Sequence, residues 1–447
     1  MHLVFLNQYY PPDAAPTGVM LESVVERLLG AGHDVTVLCA DGGYAQGRDQ
    51  SPETGVRKPE GSMRIQRIGA TKFGRGSFIG KLLDYGSYYF GVAWRLACLH
   101  PRPDRVVALT TPPYLSVLAR LISKLRGADH AHWVMDVYPD VMTAHGMLQN
   151  NGLRHGVLTF AAKWGMGGRR CAAVLTLGPD MAERLVEMTA RGREAVEWND
   201  GVAGDDAAVV HWVPLWGGAG EDAVDEAAGD SREAVRLLRR ERGWADDELV
   251  VMYSGNMGLG HRFGEICEVM RRLIGMADRD EHGMPKHPAV LPDTMAKTRF
   301  AFFGGGKRRQ ELEEFRGTFL SPVFELHDYV PRGRLRDHLR SGDVHLVSLA
   351  PAWTGTMLPS KLQGIFAVQR PVIFIGDPKS SLARWVRESG GGWVVQAGAV
   401  DQLAAAIEEA RDPVVRAQRG QAAGGFAAAH FCGRRNSGRV AACLARC

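Results

Sequence analysis

The sequence is poor in the features that mark several protein classes. Seven cysteines stand at positions 39, 98, 171, 267, 432, 443 and 447, odd in number and without a CxxC pair. That spacing argues against a disulfide framework or a zinc finger and fits a reducing compartment, with no catalytic role for Cys443 or Cys447. The positive surplus is small: 54 Lys and Arg against 50 Asp and Glu, a formal net charge of +4. Spread in sign and without aromatic-basic tracts, it argues against nucleic acid as a partner and is compatible with weak attraction to an anionic membrane surface. No run of 18 uncharged apolar residues occurs, so no spanning helix is expected. The opening MHLVFLNQYY has no basic leader or small-residue cleavage site, so no signal peptide is expected. The expected setting is therefore the cytoplasm, with peripheral contact at the inner face of the membrane left open.

At 447 residues, 45% of them hydrophobic, the chain exceeds one core, and two domains of roughly 200 residues each are expected. The pattern divides it into a first domain over 1–205, a linker region over 206–248, a second domain over 249–412 and a helical segment over 413–447.

In the first half, His2 to Leu6 reads as a strand, QYYPPDAAPTG as a loop, VMLESVVERLLGAGH as a helix of period near 3.6, and DVTVLCA as a second strand. This is a β-α-β unit of a parallel sheet. Gly18, at the mouth of the helix, allows close approach by a ligand or another domain, or serves the turn alone. Residues 41–62, rich in Gly, Asp and Gln, read as a loop. The long helix expected over 78–98 carries Tyr85, Tyr88, Tyr89, Phe90 and Trp94, which either pack on the sheet or form a lipid-facing surface. Arg105 to Leu109 is a strand ending in TTPPY, a loop that offers Tyr114 to an acceptor, and a helix follows it. AHWVMDVYPD then places Asp136 and Asp140 at or after a strand end. Open α/β sheets hold ligands at the carboxyl ends of strands. Asp136 is the preferred candidate to orient or deprotonate an acceptor hydroxyl, with Asp140 beside it; capping the next helix is the structural alternative for both acids. Cys171 to Leu177 is the last clear strand of this half, a helix starts at Pro179, and WVPLWGG with the Ala-, Gly- and Asp-rich 219–230 has linker composition.

The pattern restarts with LVVMY at 249–253, the turn SGNMGLG, and a helix from about residue 262. The turn lacks the full GxGxxG fingerprint and its ribose-binding acid, and no GxxxxGK[ST] occurs. NAD, FAD and Walker-type nucleotide hydrolysis are thereby disfavoured. Phe300 to Phe303 runs into GGGKRRQELEEF, where glycines including Gly305 free the backbone to wrap a ligand. Lys307, Arg308 or Arg309 would neutralise a diphosphate there, unless the triplet is a solvated helix start. Residues 279–296 read as a surface insertion, and the strand Val323 to Leu326 ends in HDYVP, whose Tyr329 and Val330 backbone could meet a base edge. The stretch from Trp353 to Gly376 reads as loop, helix and strand, with Pro359 and Ser360 at the helix start and Lys361 in its first turn. A diphosphate would sit comfortably against those free N–H groups and the ammonium; an ordinary αβ unit is the alternative.

The motifs QYYPPDAAPTG, GHDVTVLC, HWVMDVYPD, WVPLW, YSGNMG, FFGGGKRR and GTMLPSKLQGIFAVQRPVIFIG, in this order, resemble those of retaining glycosyltransferases of family 4 type. The group includes bacterial capsule and colanic-acid sugar transferases. The resemblance implies the α/β GT-B fold: two Rossmann-like domains with parallel sheets facing across a cleft, the final helix crossing back to the first. It implies a nucleoside-diphosphate sugar as co-substrate in the second domain, no other cofactor and no metal, and an acceptor in the first. Gly18 would approach the sugar or diphosphate, and Asn256, Gly258, Thr356, Met357 and Leu358 would surround the phosphates. The acceptor would be a lipid-linked saccharide or a small molecule with a hydroxyl or amine.

Four positions depart from that pattern. The two glutamates common in the family fall at Thr356 and Gly364, its turn glycine at Gln369, and its histidine at Met135. Lys361 and Gln363 are the local substitutes for the missing acids. An epimerase or hydrolase on the same fold, and a subunit that binds nucleotide sugar without turnover, are the alternatives to hexosyl transfer.

Overall fold

The computed structural model describes residues 1–13, 15–41, 61–69, 71, 78–150, 152–189, 194–198, 210–216, 228–273, 297–318 and 321–446. Most of the loop expected over 41–62, of the linker composition over 219–230 and all of the insertion expected over 279–296 lie outside them. The chain forms two compact units, Met1–Pro214 with Gly355–Leu358 and Gly433–Cys447, and Leu215–Thr354 with Pro359–Cys432. The segment expected over 413–447 is thus divided: the helix Pro413–His430 lies in the second unit and the helix Gly433–Ala445 in the first.

The first unit is built on strands β1 (His2–Leu6), β2 (Asp34–Ala40), β3 (Met63–Ile68), β4 (Arg105–Ala108), β5 (Asp129–Trp133), β6 (Cys171–Thr176), β7 (Ala195–Glu197) and β8 (Val210–Trp212). Their order is β3-β2-β1-β4-β5-β6-β8-β7, and every pairing is parallel. β7 and β8 are strands that the sequence pattern does not reveal, because three residues are too few for a period to register. Val4, Leu6, Leu38, Val106 and Ala108 form an apolar sheet face, covered by Tyr88, Val92 and Leu96 of the helix Phe78–Cys98 and by Leu115, Ala119 and Ile122 of the helix Leu115–Arg126. Spacings of three and four put those residues on one side of each helix. The aromatic helix is accordingly divided: Tyr88 is core, its hydroxyl donating to Leu38 O at 3.2 Å, whereas Tyr85, Phe90 and Trp94 are exposed. The helix Gly433–Ala445 packs on the helix Pro16–Gly30. Leu444 O accepts a 2.6 Å bond from buried Arg105, and Asn436 donates to Pro214 O at 3.0 Å.

The second unit holds β9 (Leu249–Ser254), β10 (Thr298–Phe303), β11 (Phe324–His327), β12 (Val344–Ser348), β13 (Val372–Gly376) and β14 (Gly392–Gln396). Their order is β11-β10-β9-β12-β13-β14, again wholly parallel. Counted from β9, this is the 3-2-1-4-5-6 order of a dinucleotide-binding sheet, whose switch point lies between its first and fourth strands, here β9 and β12. Buried Tyr253, Phe263, Phe300, Phe302 and Phe324 dominate the core on one face. Burial on both faces explains why β9 and β13 read as largely apolar runs, while β12 buries the polar His345 and Ser348 among its apolar residues.

One departure from the family pattern has a visible accommodation. Gln369 follows the helix Lys361–Ala367 with φ of 59°, a left-handed conformation that costs a side-chain-bearing residue roughly 1–2 kcal/mol. Two glycines of the helix Pro413–His430 make room for it. A Cβ at Gly420 would lie 2.4 Å from Gln369 O, and one at Gly424 2.6 Å from Gln369 Cγ. Gly424→Ala should destabilise the second unit by about 1–3 kcal/mol. Gln369→Gly, which removes the clashing Cγ, should restore most of that loss, as read from chemical denaturation of both single variants and the double variant.

Candidate functional site

In the second unit, the loops after β9 and β10 are locked to each other by backbone bonds. Gly255 N donates to Phe303 O at 2.9 Å, Met257 N to Gly305 O at 2.7 Å and Arg308 N to Met257 O at 2.9 Å. Gly304 and Gly306 have φ of 127° and 134°. A Cβ on the first would lie 2.2 Å from Gly255 O, and one on the second 2.6 Å from both Asn256 Oδ1 and Met257 O. Two of the three glycines therefore answer first to the facing loop. Gly305 faces the exposed ring of Tyr329, whose hydroxyl donates to Gly305 O at 3.0 Å, and Gly258 lies under Asn256 Nδ2.

Lys361 ties this pair of loops to the next helix. Its ammonium donates to Tyr253 Oη, to Asn256 O at 2.9 Å and to His261 Nε2 at 3.1 Å, and lies 4.0 Å from the centre of the Tyr253 ring. A Cβ at Gly255 would meet Lys361 Cε at 2.7 Å. His261 can accept this bond because its Nδ1 donates to Ser348 O at 2.6 Å. Burial, then the Lys361 charge, push its pKa down to about 3, so the ring is neutral at pH 7. Burial also drives the Lys361 pKa well below the usual lysine range. All three ammonium donors thus meet protein acceptors. Sequence reasoning assigned Lys361 but no role to Tyr253, Gly255 or His261, since only the fold brings them under its ammonium.

The basic triplet separates. Arg308 donates to His261 O at 2.5 Å and pairs with Glu311 at 3.2 Å. Arg309 pairs with Glu313 and Asp328, both at 2.8 Å, and bonds the carbonyls of Gly304 and His327. Lys307 is exposed. Ser360 precedes the helix Lys361–Ala367 without capping it through its side chain, and Val330 packs beside Trp244, Met252 and Phe303. Buried Gln363 has no hydrogen-bond partner for its amide among the described residues.

Thr356, Met357 and Leu358 fall in the first unit. Thr356 O accepts from Val137 N at 2.7 Å, and Met357 forms an antiparallel bridge with Asp136. Asp136 lies three residues past β5 and lines a cavity of about 20 Å³ with Tyr114, His132 and Tyr138, room for about one water. Burial alone raises its pKa to about 6. Tyr114 has φ of 68°, and its hydroxyl has no hydrogen-bond partner among the described residues. The Asp140 carboxylate instead accepts a 2.6 Å bond from Arg184 and does not cap its helix through a side-chain bond. Gly18 lies inside the helix Pro16–Gly30, not at its mouth, because the helix starts at Pro16. The close approach it permits is by the Tyr9 backbone, 3.1 Å from where a Cβ would stand.

No protein-family model matches the chain. It is 26% identical over 417 residues, 92% of each chain, to a protein of Escherichia coli (strain K12) named as the colanic acid biosynthesis glycosyl transferase WcaI. Among solved structures it superposes on WaaG, a glycosyltransferase involved in lipopolysaccharide biosynthesis, with TM-score 0.65 and 12% identity over 100% of both chains. The chain is a glycosyltransferase of the GT-B fold. A further structural neighbour, Anabaena Alr3699/HepE in complex with UDP, matches this glycosyltransferase with TM-score 0.62 and 11% identity, over 99% of this chain and 98% of that one.

Two outcomes are expected of the site. Gly306→Ala places a Cβ against fixed backbone at a strained φ, and should weaken nucleotide binding at least tenfold by calorimetry while β10 stays folded by circular dichroism. Asp136 has a folded pKa above its unfolded value, so its proton is held more tightly in the fold. Its contribution to stability is complete below about pH 4 and lost as pH rises to about 6. Asp136→Asn should therefore be more stable than the parent above pH 6, by about 1–3 kcal/mol given partial solvent screening, and indistinguishable from it at pH 3.5.

Proposed function

We propose that the glycosyltransferase moves a hexosyl group from a nucleoside-diphosphate sugar to a hydroxyl or amine acceptor, with retention of anomeric configuration and without a metal or further cofactor. The observation that carries this reading is the pair of interlocked glycine loops at the carboxyl ends of β9 and β10, braced by Lys361 beside the switch point of the sheet. The glycines at 304 and 306 let the two loops close on each other, and the exposed cation of Lys307 stands in the same loop. What must be stabilised is the charge that grows on the departing diphosphate as the sugar bond breaks. Lys361 acts on it from behind the loop, holding Asn256 and its neighbours in place, while Lys307 is the cation free to reach the oxygens. UDP in Alr3699/HepE supports uracil among the donor bases.

In the first unit, Asp136 orients the acceptor hydroxyl or takes its proton, and Tyr114 contributes its unpartnered hydroxyl. A carboxyl with a pKa of about 6 is ionised at neutral pH yet basic enough to accept a proton from an attacking group. The acceptor is a lipid-linked saccharide or a small molecule.

A thermal-shift series with UDP, GDP, dTDP, ADP and CMP, followed by mass spectrometry of transfer products with the best donor class, tests the reading. One diphosphate should raise the melting temperature in proportion to the logarithm of its concentration; no rise with any of them would overturn the donor site. Lys307→Ala should lower kcat by about 10²–10³ with KM for the donor changed little. An unchanged kcat would remove Lys307 from the reaction.

A further inference from the structure

We propose that the outer face of three neighbouring helices in the first unit docks on an anionic lipid bilayer. The helix Phe78–Cys98 turns Tyr88, Val92 and Leu96 to the sheet and leaves Leu83, Phe90 and Trp94 exposed on a second stripe, Phe90 by 73%. The helix Leu115–Arg126 packs against it and leaves Leu121 and Leu125 exposed one turn apart. The helix Leu153–Gly165 packs on that one in turn, and exposes Leu153, Val157 and Phe160 at spacings of four and three, Leu153 by 87%. Single exposed apolar residues are ordinary, but parallel stripes on adjoining helices form a patch that needs an occupant.

Charge identifies the occupant. Over the whole chain the net charge is only +4, yet these three helices carry Asp84 as their one acid, and its carboxylate accepts a 3.0 Å bond from Thr71. Exposed Arg95, Lys124, Arg154 and Lys163 stand among the apolar side chains. A second copy of the chain docked on the same face would bring these cations together across a two-fold axis. Lipid headgroups would neutralise them while Phe90, Trp94 and Phe160 enter the boundary of the acyl region, as amphipathic interfacial helices do.

The test is co-sedimentation of the full chain with vesicles of phosphatidylglycerol and phosphatidylcholine in equal parts, and with phosphatidylcholine alone. The chain should bind the mixed vesicles, bind the neutral ones far less, and be released by salt. The double variant Phe90→Ser with Trp94→Ser should lower partitioning at least tenfold, and Lys124→Gln or Arg154→Gln should each lower it roughly fivefold. All four positions are exposed, so melting temperatures without ligand should match the parent. Absence of binding to phosphatidylglycerol vesicles, equal binding to both vesicle types, or a concentration-dependent dimer abolished by the apolar double variant would each overturn the proposal. None of these readouts involves nucleotide, so failure of the donor site and failure of the bilayer surface are separable.

Discussion

The half-buried ammonium of Lys361 is the constraint around which the second unit's site is arranged. A charge taken from water costs several kcal/mol unless its donors are met, and here three acceptors and an aromatic ring meet them. Each acceptor comes from a different part of the chain's local order: Tyr253 from the end of β9, Asn256 from the loop after it, and His261 from the turn before the next helix. His261 serves only as the neutral ring, and Ser348 at the end of β12 selects that tautomer by accepting from Nδ1. The ammonium thereby connects β9, β12 and the helix Lys361–Ala367 across the switch point of the sheet. Because Gly255 has no Cβ, the lysine stem can lie against the loop that it holds.

The same arrangement changes the chemical meaning of the glycine-rich stretch. Gly304 and Gly306 are required by the loop after β9 before any ligand is considered, since backbone oxygens occupy the places of their side chains. The basic triplet is likewise distributed between structure and chemistry. Arg308 and Arg309 hold carbonyls and carboxylates of neighbouring loops, which leaves Lys307 as the cation whose ammonium is exposed. In the first unit the two acids diverge in a similar way. Asp140 is neutralised by Arg184, whereas half-buried Asp136 has its pKa raised by desolvation and so is suited to exchange a proton near neutral pH.

Most of the architecture was legible in the sequence because both sheets are parallel and buried on both faces. That burial writes β1, β9 and β13 as largely apolar runs, and the intervening helices as amphipathic stretches of period 3.6. What escaped includes the half-exposed edge strand β3 and the helix Leu153–Gly165, together with features that are short or conformational. β7 and β8 are three residues each, and their place in the sheet comes from pairing with β6 and with each other. The helix after β1 begins two residues earlier than Gly18, because Pro16 fits a first helical turn, so Gly18 packs against Tyr9. The left-handed conformation of Gln369 fits the turn glycine whose place it takes, but the room for its side chain depends on Gly420 and Gly424, which lie about fifty residues further along.

By itself the sequence determined the class of the molecule: two α/β units, glycine turns at strand ends, cations near those turns, and a resemblance to sugar transferases carried by ordered motifs. Those properties are local, set by period, turn chemistry and residue type, and each can be read within a window of about twenty residues. Tertiary structure decided which of the candidate groups are engaged. Lys361 is committed to three acceptors, Arg184 takes Asp140, and Thr356 to Leu358 join the first unit by pairing with Asp136 and Val137. Those outcomes depend on distances between segments far apart in the chain and on burial, which alone moves the Asp136 proton to about pH 6. Neither quantity is carried by residue order, because the desolvation of a charge is a property of everything packed around it.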